Sequence, residues 1–473
     1  MKKLIIHLFA VSFLCVSCKK DTLDLNPPDK ISSTNFWKSE SDADLALAGA
    51  YSTFRTSPYT WGDWTVETFQ PYTFDGFSDD SFSQFNYGGS KSAGSSGLTP
   101  LSGLKVSEMY NSVYGSIASI NFLLANVDKV LKGDKLANYK SEGYFLRAFC
   151  YFWLAQLYGN VPIVKEDPYK IDPTSNRAKS TRDEVLAFVE QDLNAAIAGL
   201  PTGLYSTTGH PTKEAAYGYL ARVLLFEKKY AAAAAAAKMV IDGGKYSLNP
   251  NYLSNFYKPD QGTSPEIMFS VQNTRTNAGN WNWLTDYTIL QQWHGQLGTT
   301  DLIKEFEPAD PRKTFNFFLP AVDNYYIVNK WVNPVTQGDA EYSDYVQLRY
   351  ADVKLMYAEA QNEAVGPDAS VYQQVNEVRN RTGVKMPPLA VALSQDSMRV
   401  HIRHERRVEF PMEGLRYFDL RRWGIATQKL NGFVSDPSQP TVKQMYKANY
   451  DFWPIPQQEI DRNQGVLKQN DGY

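Results

Sequence analysis

The sequence GYLARVLLFEKKYAAAAAAA, residues 218–237, predicts two consecutive helices that pack closely against each other. Gly218 and Ala221 in its first half, and the alanines after Tyr230 in its second half, are small residues where the two helices would cross. Small side chains at a crossing let two helix backbones approach, and Tyr230 is placed to fill the turn between them. We therefore expect an antiparallel helical pair in this part of the chain.

Helical patterns recur on both sides of this pair. One long helix is predicted by apolar residues three or four positions apart, at Val106, Tyr110, Val113, Ile117, Ile120, Leu124, Val127 and Leu131. Further stripes of this kind fall at Phe145, Phe149, Phe152 or Trp153, and Leu157, and at Tyr350, Val353, Tyr357, Ala360 and Ala364. Thr181-Arg-Asp-Glu184 is a capping box that opens another helix, and Thr212 is placed to cap the next.

The pair at 218–237 resembles a tetratricopeptide unit, in which roughly 34 residues form two antiparallel helices. The similar patterns elsewhere are degenerate and separated, so a regular solenoid is not expected. Two stretches break the helical pattern: residues 88–97 are rich in glycine and serine, and residues 250–345 gain Asn, Gln, Thr, Pro and Trp. Loops that long are usually functional. We expect a mainly α fold, a tetratricopeptide-like scaffold of helical pairs with long irregular loops and a few short strands.

Composition excludes some classes of function. The 473 residues carry 48 Lys and Arg against 51 Asp and Glu, a net charge of -3. A nucleic-acid-binding protein needs clustered positive charge to displace counterions, so this balance argues against one. Aromatic residues make up 14% of the chain. We expect most of them to fill gaps between helices, with a minority left to present ring faces to a flat ligand.

The N-terminus has the pattern of an export signal. Lys2 and Lys3 precede an apolar stretch, residues 4–16, that is too short to span a bilayer. No other segment of the sequence is apolar enough to cross a membrane. We predict a signal peptide over residues 1–17.

The residue after this peptide is a candidate lipid anchor. Ser17-Cys18 resembles the processing site of bacterial lipoproteins, in which the cysteine becomes the acylated first residue, although Cys15 stands where such sites usually carry leucine. Acyl chains contribute about 0.8 kcal/mol per buried CH₂ to holding a protein on a membrane. Residues 18–34 are expected to form a lipidated cysteine and a polar tether. The alternative is ordinary cleavage that releases a soluble protein.

Few features of the sequence support catalysis. His401-Ile-Arg-His404-Glu405 has neither the His-Glu-x-x-His nor the His-x-x-Glu-His order, and it lies among arginines, so we expect no metal site there. We find no phosphate-binding glycine loop, no dinucleotide-binding glycine motif and no Gly-x-Ser-x-Gly elbow. No cofactor is therefore expected.

An acidic cluster at Asp75, Asp79 and Asp80 is a candidate for the paired carboxylates of a glycoside hydrolase. Acidic residues in a polar loop are more often solvated or hydrogen-bonded to a ligand. The sequence does not define the distance between the carboxylates that would decide the matter. We interpret the cluster as solvated or ligand-binding and leave the enzymatic alternative open.

Glu405 and Glu409 extend an apolar helical stripe that begins with Met398 and Ile402, so both carboxylates are expected to face inward. A buried carboxylate without a partner is costly. The nearest candidates in the sequence are arginines just past the bend at 411–414, namely Arg416, Arg421 and Arg422. We expect this charged helix to be structural and not catalytic.

Short motifs along nearly the whole chain resemble one family. In the first half they are Asn35-Phe36-Trp37-Lys38, Asp42-Ala-Asp44, Ala48-Gly-Ala-Tyr51, Glu142-Gly-Tyr-Phe-Leu-Arg147-Ala and Leu157-Tyr-Gly-Asn-Val-Pro162. In the second half they are Arg349-Tyr-Ala-Asp-Val-Lys-Leu-Met-Tyr-Ala-Glu-Ala360, Glu405-Arg-Arg-Val-Glu409, Glu413-Gly-Leu-Arg-Tyr-Phe-Asp-Leu-Arg-Arg-Trp423, Trp453-Pro-Ile-Pro456 and Gln469-Asn-Asp-Gly-Tyr473. Together, in this order and spacing, they resemble the SusD/RagB nutrient-binding outer-membrane lipoproteins of Bacteroidetes.

The resemblance implies a binding protein and no catalysis. It implies a tetratricopeptide-like scaffold, capture of a glycan or other nutrient at the cell surface, and lipid anchoring in the outer membrane. It also implies a partner, a SusC-like TonB-dependent transporter on which the lipoprotein sits as a lid. On this basis we divide the chain after the tether into an N-terminal SusD-like helical region, residues 35–245, and a C-terminal RagB/SusD region, residues 250–473, with ligand loops at 250–345.

In this family the ligand surface comes from variable loops, which correspond here to about residues 60–98 and 275–300. Pyranose rings present apolar C–H faces that stack on aromatic side chains, and hydroxyls that pair with polar groups. The candidate ligand-binding residues in these loops are Trp61, Trp64, Tyr72, Asp79, Asp80, Asn86, Tyr87, Trp281, Trp283 and Trp293. If residues 280–283 are extended, Trp281 and Trp283 share one face. The alternative is that the tryptophans anchor their loops to the core.

We therefore expect a cell-surface nutrient-binding lipoprotein, with a glycan as the favoured ligand, that delivers its ligand to a TonB-dependent outer-membrane transporter. Three alternatives stay open: a peptide-binding member of the same family, a surface glycoside hydrolase, and an interaction scaffold that binds the transporter but no nutrient. The sequence does not name the sugar.

Overall fold

The computed structural model describes residues 36–55, 71–82, 98–102, 106–172, 174–257, 260–273, 297–318, 326–331, 343–435 and 441–473. Within these ranges the chain forms fifteen α-helices and six short strands, so the prediction of a mainly α fold with a few short strands is confirmed. The predicted signal peptide, lipid anchor and tether fall outside the described residues.

Seven helices belong to the first part of the chain: α1 (Glu40–Ser52), α2 (Glu108–Asn126), α3 (Gly133–Leu157), α4 (Arg182–Gly199), α5 (Tyr205–Thr208), α6 (Lys213–Phe226) and α7 (Tyr230–Gly243). The predicted long helix at 106–131 is α2, which a 3₁₀ turn at Val127–Lys129 extends. Every residue of α3 from Phe145 to Leu157 is buried. A helix that is enclosed on all sides is a core element, and α3 is the central helix of the scaffold.

Eight helices follow: α8 (Thr300–Glu305), α9 (Arg312–Asn316), α10 (Tyr350–Ala364), α11 (Ala369–Arg379), α12 (Gln395–Glu409), α13 (Arg416–Arg422), α14 (Ala426–Leu430) and α15 (Gln457–Arg462). The strands are β1 (Ser81–Phe82), β2 (Ile267–Val271), β3 (Leu297–Gly298), β4 (Phe317–Phe318), β5 (Tyr326–Val328) and β6 (Tyr345–Arg349).

The strands form two antiparallel sheets. One contains β1, β3, β5 and β4 in that order, with Ser81 opposite Gly298. The other pairs β2 with β6, with Phe269 opposite Leu348. Both sheets draw strands from the stretch at 250–345, where the sequence loses its helical pattern.

Two predicted helix starts are confirmed. Thr181 Oγ1 accepts a hydrogen bond from the backbone N–H of Glu184 at 3.2 Å, and the Glu184 carboxylate accepts one from Thr181 N at 2.7 Å. This reciprocal pattern is a capping box. Thr212 Oγ1 accepts from Ala215 N at 3.3 Å at the start of α6. Each bond satisfies a backbone donor that has no partner within its helix, and so fixes where the helix begins.

Helices α6 and α7 form the predicted helical pair. They are joined by a tight turn in which Lys228 has a φ of 59°, and Tyr230 begins α7 at this turn. The expectation for Gly218 is wrong, because it does not serve this crossing. A Cβ there would lie 2.7 Å from Leu348 Cδ2 and 3.3 Å from Val353 Cγ2, so the missing side chain admits β6 and α10 instead.

Aromatic side chains join the two parts of the chain at the centre of the protein. Phe145 and Phe149 of α3 each meet Tyr219 of α6 at ring-centroid distances of 5.5 and 5.6 Å. The same two rings meet Phe269 of β2 at 4.9 and 5.3 Å. All four contacts are edge-to-face, a geometry that contributes about 0.5–1.5 kcal/mol per pair beyond the buried area. These aromatic residues therefore fill the core, as the composition predicts.

Buried charges form a second part of the interior, around α12. Glu405 accepts hydrogen bonds from Arg312 Nη1 at 2.6 Å and from Arg379 Nη1 at 2.8 Å. Glu409 accepts from Arg312 Nη1 at 2.8 Å and from Arg349 Nη1 at 2.6 Å. Both glutamates are 0% exposed, so the prediction that they are buried and bonded to arginines is confirmed.

The particular arginines suggested by the sequence are wrong. Arg416 Nε donates to Asp79 at 2.8 Å, Arg422 Nε donates to Asp419 at 2.8 Å, and Arg421 donates to a backbone carbonyl. Although α13 follows α12 closely in the chain, α12 lies against α9, the end of β6 and the end of α11. The partners of its glutamates come from those elements.

Candidate functional site

A cleft of about 550 Å³ opens between four elements of the described chain. Helix α1 forms one wall with Asp44, Ala48 and Ser52, which lie four positions apart on one face. The other walls are Tyr139 of α3, the turn at 208–210 after α5, and the end of β2. Small-molecule sites typically enclose roughly 300–1,000 Å³, so the cleft has the size of a ligand site.

The sequence of α1 explains why this face is left open. Ala43, Ala46 and Ala50 are buried, and their small side chains let the helix lie close to the scaffold. At its N-terminus the Asp42 carboxylate accepts a hydrogen bond from Ser39 N at 2.7 Å, which closes a capping box. The helix is thus fixed by one face and by its first turn, and its opposite face borders the cleft.

Glu142 of α3 joins two side chains of the cleft. Tyr51 donates its phenolic O–H to Glu142 Oε1, and His210 Nδ1 lies 2.5 Å from the same oxygen. The side chain of His210 is 51% exposed, whereas that of Glu142 is 3% exposed. The hydrogen bond to Glu142 raises the pKa of His210 above its usual range, against the opposing effect of partial burial. Any positive charge on His210 is therefore balanced by the carboxylate behind it.

The turn that positions His210 requires a glycine. Gly209 has a φ of 72°, in the left-handed region. Gln272 Nε2 donates to the carbonyl of Gly209 and to the hydroxyl of Tyr205, both at 3.0 Å. A Cβ at position 209 would lie 2.6 Å from Gln272 Nε2. The Gln272 amide thus holds the turn, α5 and the end of β2 together, and a side chain at position 209 would displace it.

A second tyrosine–carboxylate pair lies on the α1 side of the cleft. Tyr139 donates its phenolic O–H to Asp44 Oδ1. Burial, followed by this hydrogen bond, raises the pKa of Tyr139 well above its usual range. Asp44 is exposed, and its Oδ2 accepts no hydrogen bond from the described residues. This oxygen is available to accept a hydrogen bond from a ligand.

Most of the ligand-binding residues predicted from the sequence lie outside the described residues: Trp61, Trp64, Asn86, Tyr87, Trp281, Trp283 and Trp293, together with the predicted anchor Cys18. Tyr72 lies in the 3₁₀ helix Pro71–Phe77, but its side chain also falls outside them. Their assignment to a ligand surface therefore stays a prediction.

The cleft nevertheless lies where the predicted ligand loops adjoin the described chain. Segments 56–70 and 274–296 contain all of the predicted tryptophans. Phe54, just before the first segment, and Gln272, just before the second, both line the cleft. Phe54 and Gln272, which are far apart in sequence, are thus brought to one place by the fold.

Asp79 and Asp80 lie in the interior, each 1% exposed. Asp79 accepts hydrogen bonds from Arg416 Nε and Nη2, both at 2.8 Å, and Asp80 accepts one from Arg407 Nε at 2.8 Å. Burial raises the pKa of Asp80 to about 6 in spite of its arginine neighbours. The expectation of a solvated polar loop is wrong. These pairs tie residues 71–82 to α12 and α13, and the arrangement favours a structural role over contact with a sugar.

Asp75, the third member of this acidic cluster, is fully buried, and its Oδ2 accepts a hydrogen bond from Gly414 N at 2.7 Å. Burial, together with the nearby charge of Asp80, raises the pKa of Asp75 well above its usual range. Paired catalytic carboxylates must flank the substrate bond. Because all three carboxylates are enclosed, the cluster no longer supports the hydrolase alternative.

Sequence reasoning missed the cleft residues that the structure describes. Asp44, Tyr51 and Glu142 stand within the motifs that carry the family resemblance, which do not by themselves identify a ligand site, and Tyr139 and His210 match no motif. The one clue in the sequence is Glu142, a carboxylate on a helix that is otherwise predicted to be buried. Such a carboxylate needs a hydrogen-bond partner. The partner itself comes from a distant turn, and no local pattern predicts it.

The described residues contain no group of three or more His, Cys, Asp and Glu side chains that could hold a metal ion. His404 Nδ1 lies instead 2.9 Å from Glu305 Oε1, in an ion pair on the face of α12. None of the helices in the described ranges is both long and apolar enough to cross a membrane.

Comparison with known proteins agrees with this architecture. A family model described as "SusD family" matches residues 242–473, and one described as "Starch-binding associating with outer membrane" matches residues 26–225. A SusD-like protein P2 from Formosa agariphila is 25% identical over 100% of both chains.

Two solved structures share the fold. A SusD-like carbohydrate binding protein from Bacteroides fragilis has a TM-score of 0.79 at 23% identity, over 91% of this chain and 99% of that one. Surface glycan-binding protein A from Bacteroides fluxus has a TM-score of 0.76 at 20% identity, over 92% of this chain and 100% of that one. The two family models together span nearly the whole chain, and relatives match it from end to end. The resemblance carried by the sequence motifs is therefore confirmed, and the chain is a member of the SusD/RagB family.

Proposed function

We propose that this chain is a lipid-anchored surface protein that captures an oligosaccharide and delivers it to a SusC-like TonB-dependent transporter in the outer membrane. The observation that carries the proposal is the cleft. It has the volume of a ligand site and is lined by tyrosines and polar groups. Two of its lining residues, Phe54 and Gln272, closely precede in sequence the segments that contain the predicted tryptophans.

The chemistry of the cleft walls suits a sugar. Tyr51, Tyr139 and Tyr205 line it, and aromatic rings pack against the apolar C–H faces of pyranoses. Asp44 and Ser52 add acceptors for the hydroxyls that surround each ring. A peptide needs partners for a regular series of backbone N–H and C=O groups. The part of β2 that lines the cleft, Ser270 and Val271, is buried, and the Ser270 carbonyl already accepts a hydrogen bond from Tyr205.

The delivery step rests on the family and on the N-terminal sequence. Acylation at Cys18 would hold the protein on a membrane. The description of the family model at residues 26–225 names association with the outer membrane, which supports this location. The carbohydrate and glycan binding stated for the Bacteroides relatives supports a sugar as the cargo.

The proposal is tested by a glycan array read against a peptide pool, followed by calorimetry on a variant that fills the cleft. Ala48→Trp places an indole on the open face of α1, and we expect it to weaken glycan binding at least tenfold. Leu45→Trp is the matched control, because Leu45 is 61% exposed on the same helix and does not line the cleft.

Equal affinities for the two variants would place the ligand elsewhere. Binding of peptides alone would identify a peptide-binding member of the family. Release of reducing sugar would reveal a hydrolase, and transporter binding without a nutrient would indicate an interaction scaffold.

A further inference from the structure

We infer that the cleft selects uncharged glycans and discriminates against glycans that carry carboxylate or sulfate groups. The inference rests on the proposed function and specifies the class of ligand. It is carried by the direction of the hydrogen bonds and by the sign of the charges around the cleft.

The tyrosine hydroxyls of the cleft already have acceptors within the protein. Tyr51 donates to Glu142, Tyr139 donates to Asp44, and Tyr205 donates to a backbone carbonyl at 3.0 Å. A carboxylate or sulfate oxygen can only accept hydrogen bonds, whereas a sugar hydroxyl can donate. The walls thus offer free acceptors, which suit hydroxyls, and few free donors, which an anion requires.

The charges act in the same sense. No lysine or arginine occurs among the described residues that line the cleft, while Asp44 places an exposed carboxylate in its wall. The histidine of the lining, His210, lies 2.5 Å from Glu142 Oε1, so its charge is balanced locally. Lys135, which precedes Tyr139 by one turn of α3, is paired with Glu40 at 2.8 Å. Among the described side chains of the cleft, an anionic ligand would therefore meet the Asp44 carboxylate with no lysine or arginine to offset it.

The adjoining sequence carries charges of both signs, and Arg55 directly precedes the first segment. Segment 56–70 contains Asp63 and Glu67 and no lysine or arginine. Segment 274–296 contains Arg275 and Asp286. Residues 55–70 and 274–296 together contain two arginines against three carboxylates, so these stretches of sequence carry no net positive charge.

The test compares hexasaccharides that differ mainly in the group at C6. The purified chain is titrated by calorimetry at low ionic strength, where exposed charges are least screened. The probes are neutral hexamers of galactose, mannose and glucose, the acidic hexamers of galacturonate, mannuronate and glucuronate, and a sulfated galactose hexamer. We expect at least one neutral hexamer to bind, and to bind about tenfold or more tightly than its acidic counterpart, which corresponds to ~1.4 kcal/mol.

The variant Asp44→Asn removes the charge of the wall and keeps the size of the side chain. We expect this variant to reduce, at least threefold, the ratio of the affinity for a neutral hexamer to the affinity for its acidic counterpart. The control Asp461→Asn removes an exposed carboxylate on α15, which does not line the cleft, and should leave the ratio unchanged.

Acidic hexamers that bind as tightly as neutral ones would overturn the inference and leave the proposed function standing. A ratio that Asp44→Asn does not change would overturn the role assigned to the charge of the wall. Binding of no hexamer would overturn the proposed function and this inference together.

Discussion

Arg312 Nη1 lies 2.6 Å from Glu405 Oε1 and 2.8 Å from Glu409 Oε2, so one guanidinium bridges two carboxylates a helical turn apart on α12. All three side chains are completely buried. Burial alone would raise the pKa of Glu409, but the charges of Arg381, Arg349 and Arg312 outweigh it and hold this pKa at about 2. The network ties α12 to α9 and β6 through ionic bonds in the interior.

Removing one member of this network should destabilise the fold without touching ligand specificity. Glu409→Ala leaves buried arginines without their counter-charge, so we expect the free energy of unfolding to fall by about 3–5 kcal/mol in urea titrations. Glu459→Ala is the control, because its pair with Arg462 lies at the surface and should contribute little. A Glu409→Ala protein that is fully stable but binds no glycan would show that the network is a ligand site.

The sequence predicts the burial of these glutamates but not their partners. Met398, Ile402, Glu405 and Glu409 share one face of a helix, and periodicity alone places that face inward. The partners come from elements separated from α12 by long stretches of chain. Their identity follows from tertiary packing, which a helical pattern does not encode.

The predicted lipid anchor has a direct test. Because Cys18 follows a small residue at the end of an export signal, Cys18→Ala should abolish acylation and release the protein from the outer-membrane fraction. Fractionation after labelling with a fatty-acid analogue measures both effects. Membrane attachment of the variant, unlabelled and resistant to detergent, would contradict the prediction.

His404 should make stability depend on pH near neutrality. Burial opposes its protonation, but the hydrogen bond to Glu305 and the nearby carboxylates outweigh burial and raise the pKa of His404. A raised pKa means that its contribution to stability is complete below the unfolded value of about 6.5 and is lost as the pH rises through the folded value. We expect His404→Gln to destabilise the protein at pH 6 and to have little effect at pH 8.5.

The matched control for this titration is His401, one turn away on α12. Burial, followed by the charge of His404, lowers the pKa of His401. Replacing it with Gln should therefore change stability in the opposite sense at acid pH. The pKa of Glu305 is held at about 2, so its contribution is constant above pH 5.5, where the urea titrations are made. Parallel pH profiles for the two variants would contradict the assignment.

The candidate site is less predictable from the sequence than the fold. Helices, caps and the inward face of α12 follow from local patterns. The cleft is formed by α1, α3, a glycine turn and the end of β2. The sequence of each element does not indicate which other elements it packs against. The local sequence also misleads at Asp79 and Asp80. Their polar surroundings in the sequence predict solvated side chains, but both are buried and paired with arginines that lie far away in the chain.

The tryptophans of segment 274–296 have a prediction of their own. If Trp281 and Trp283 share one face of an extended segment, they form a platform for successive sugar units. Stacking contributes about 0.5–1.5 kcal/mol per ring beyond buried area, so either Trp→Ala variant should weaken glycan binding several-fold in calorimetry. Tyr169→Ala removes an aromatic ring that is 66% exposed and does not line the cleft, and serves as the control. A large fall in melting temperature would indicate that the indoles are core residues.

Alanine variants of two glycines distinguish the effect of backbone strain from the effect of a change in the shape of the cleft. Gly209 and Gly244 have φ values of 72° and 60°, and in both positions alanine should cost roughly 1–2 kcal/mol in stability. A Cβ at Gly244 meets nothing within 4 Å, whereas a Cβ at Gly209 would lie 2.6 Å from Gln272 Nε2. Gly209→Ala must therefore move the amide that joins the turn of His210 to the end of β2.

We expect both alanine variants to lose melting temperature through the shared backbone penalty, and Gly209→Ala to lose more because it also displaces the Gln272 amide. Only Gly209→Ala should also lose glycan affinity, by several-fold in calorimetry, since it alone changes the shape of the cleft. Gly244→Ala therefore shows how far backbone strain outside the cleft changes glycan affinity. If both retained full affinity, the turn at 208–210 would be a structural support outside the site, and the ligand would have to be held by α1 and the adjoining segments alone.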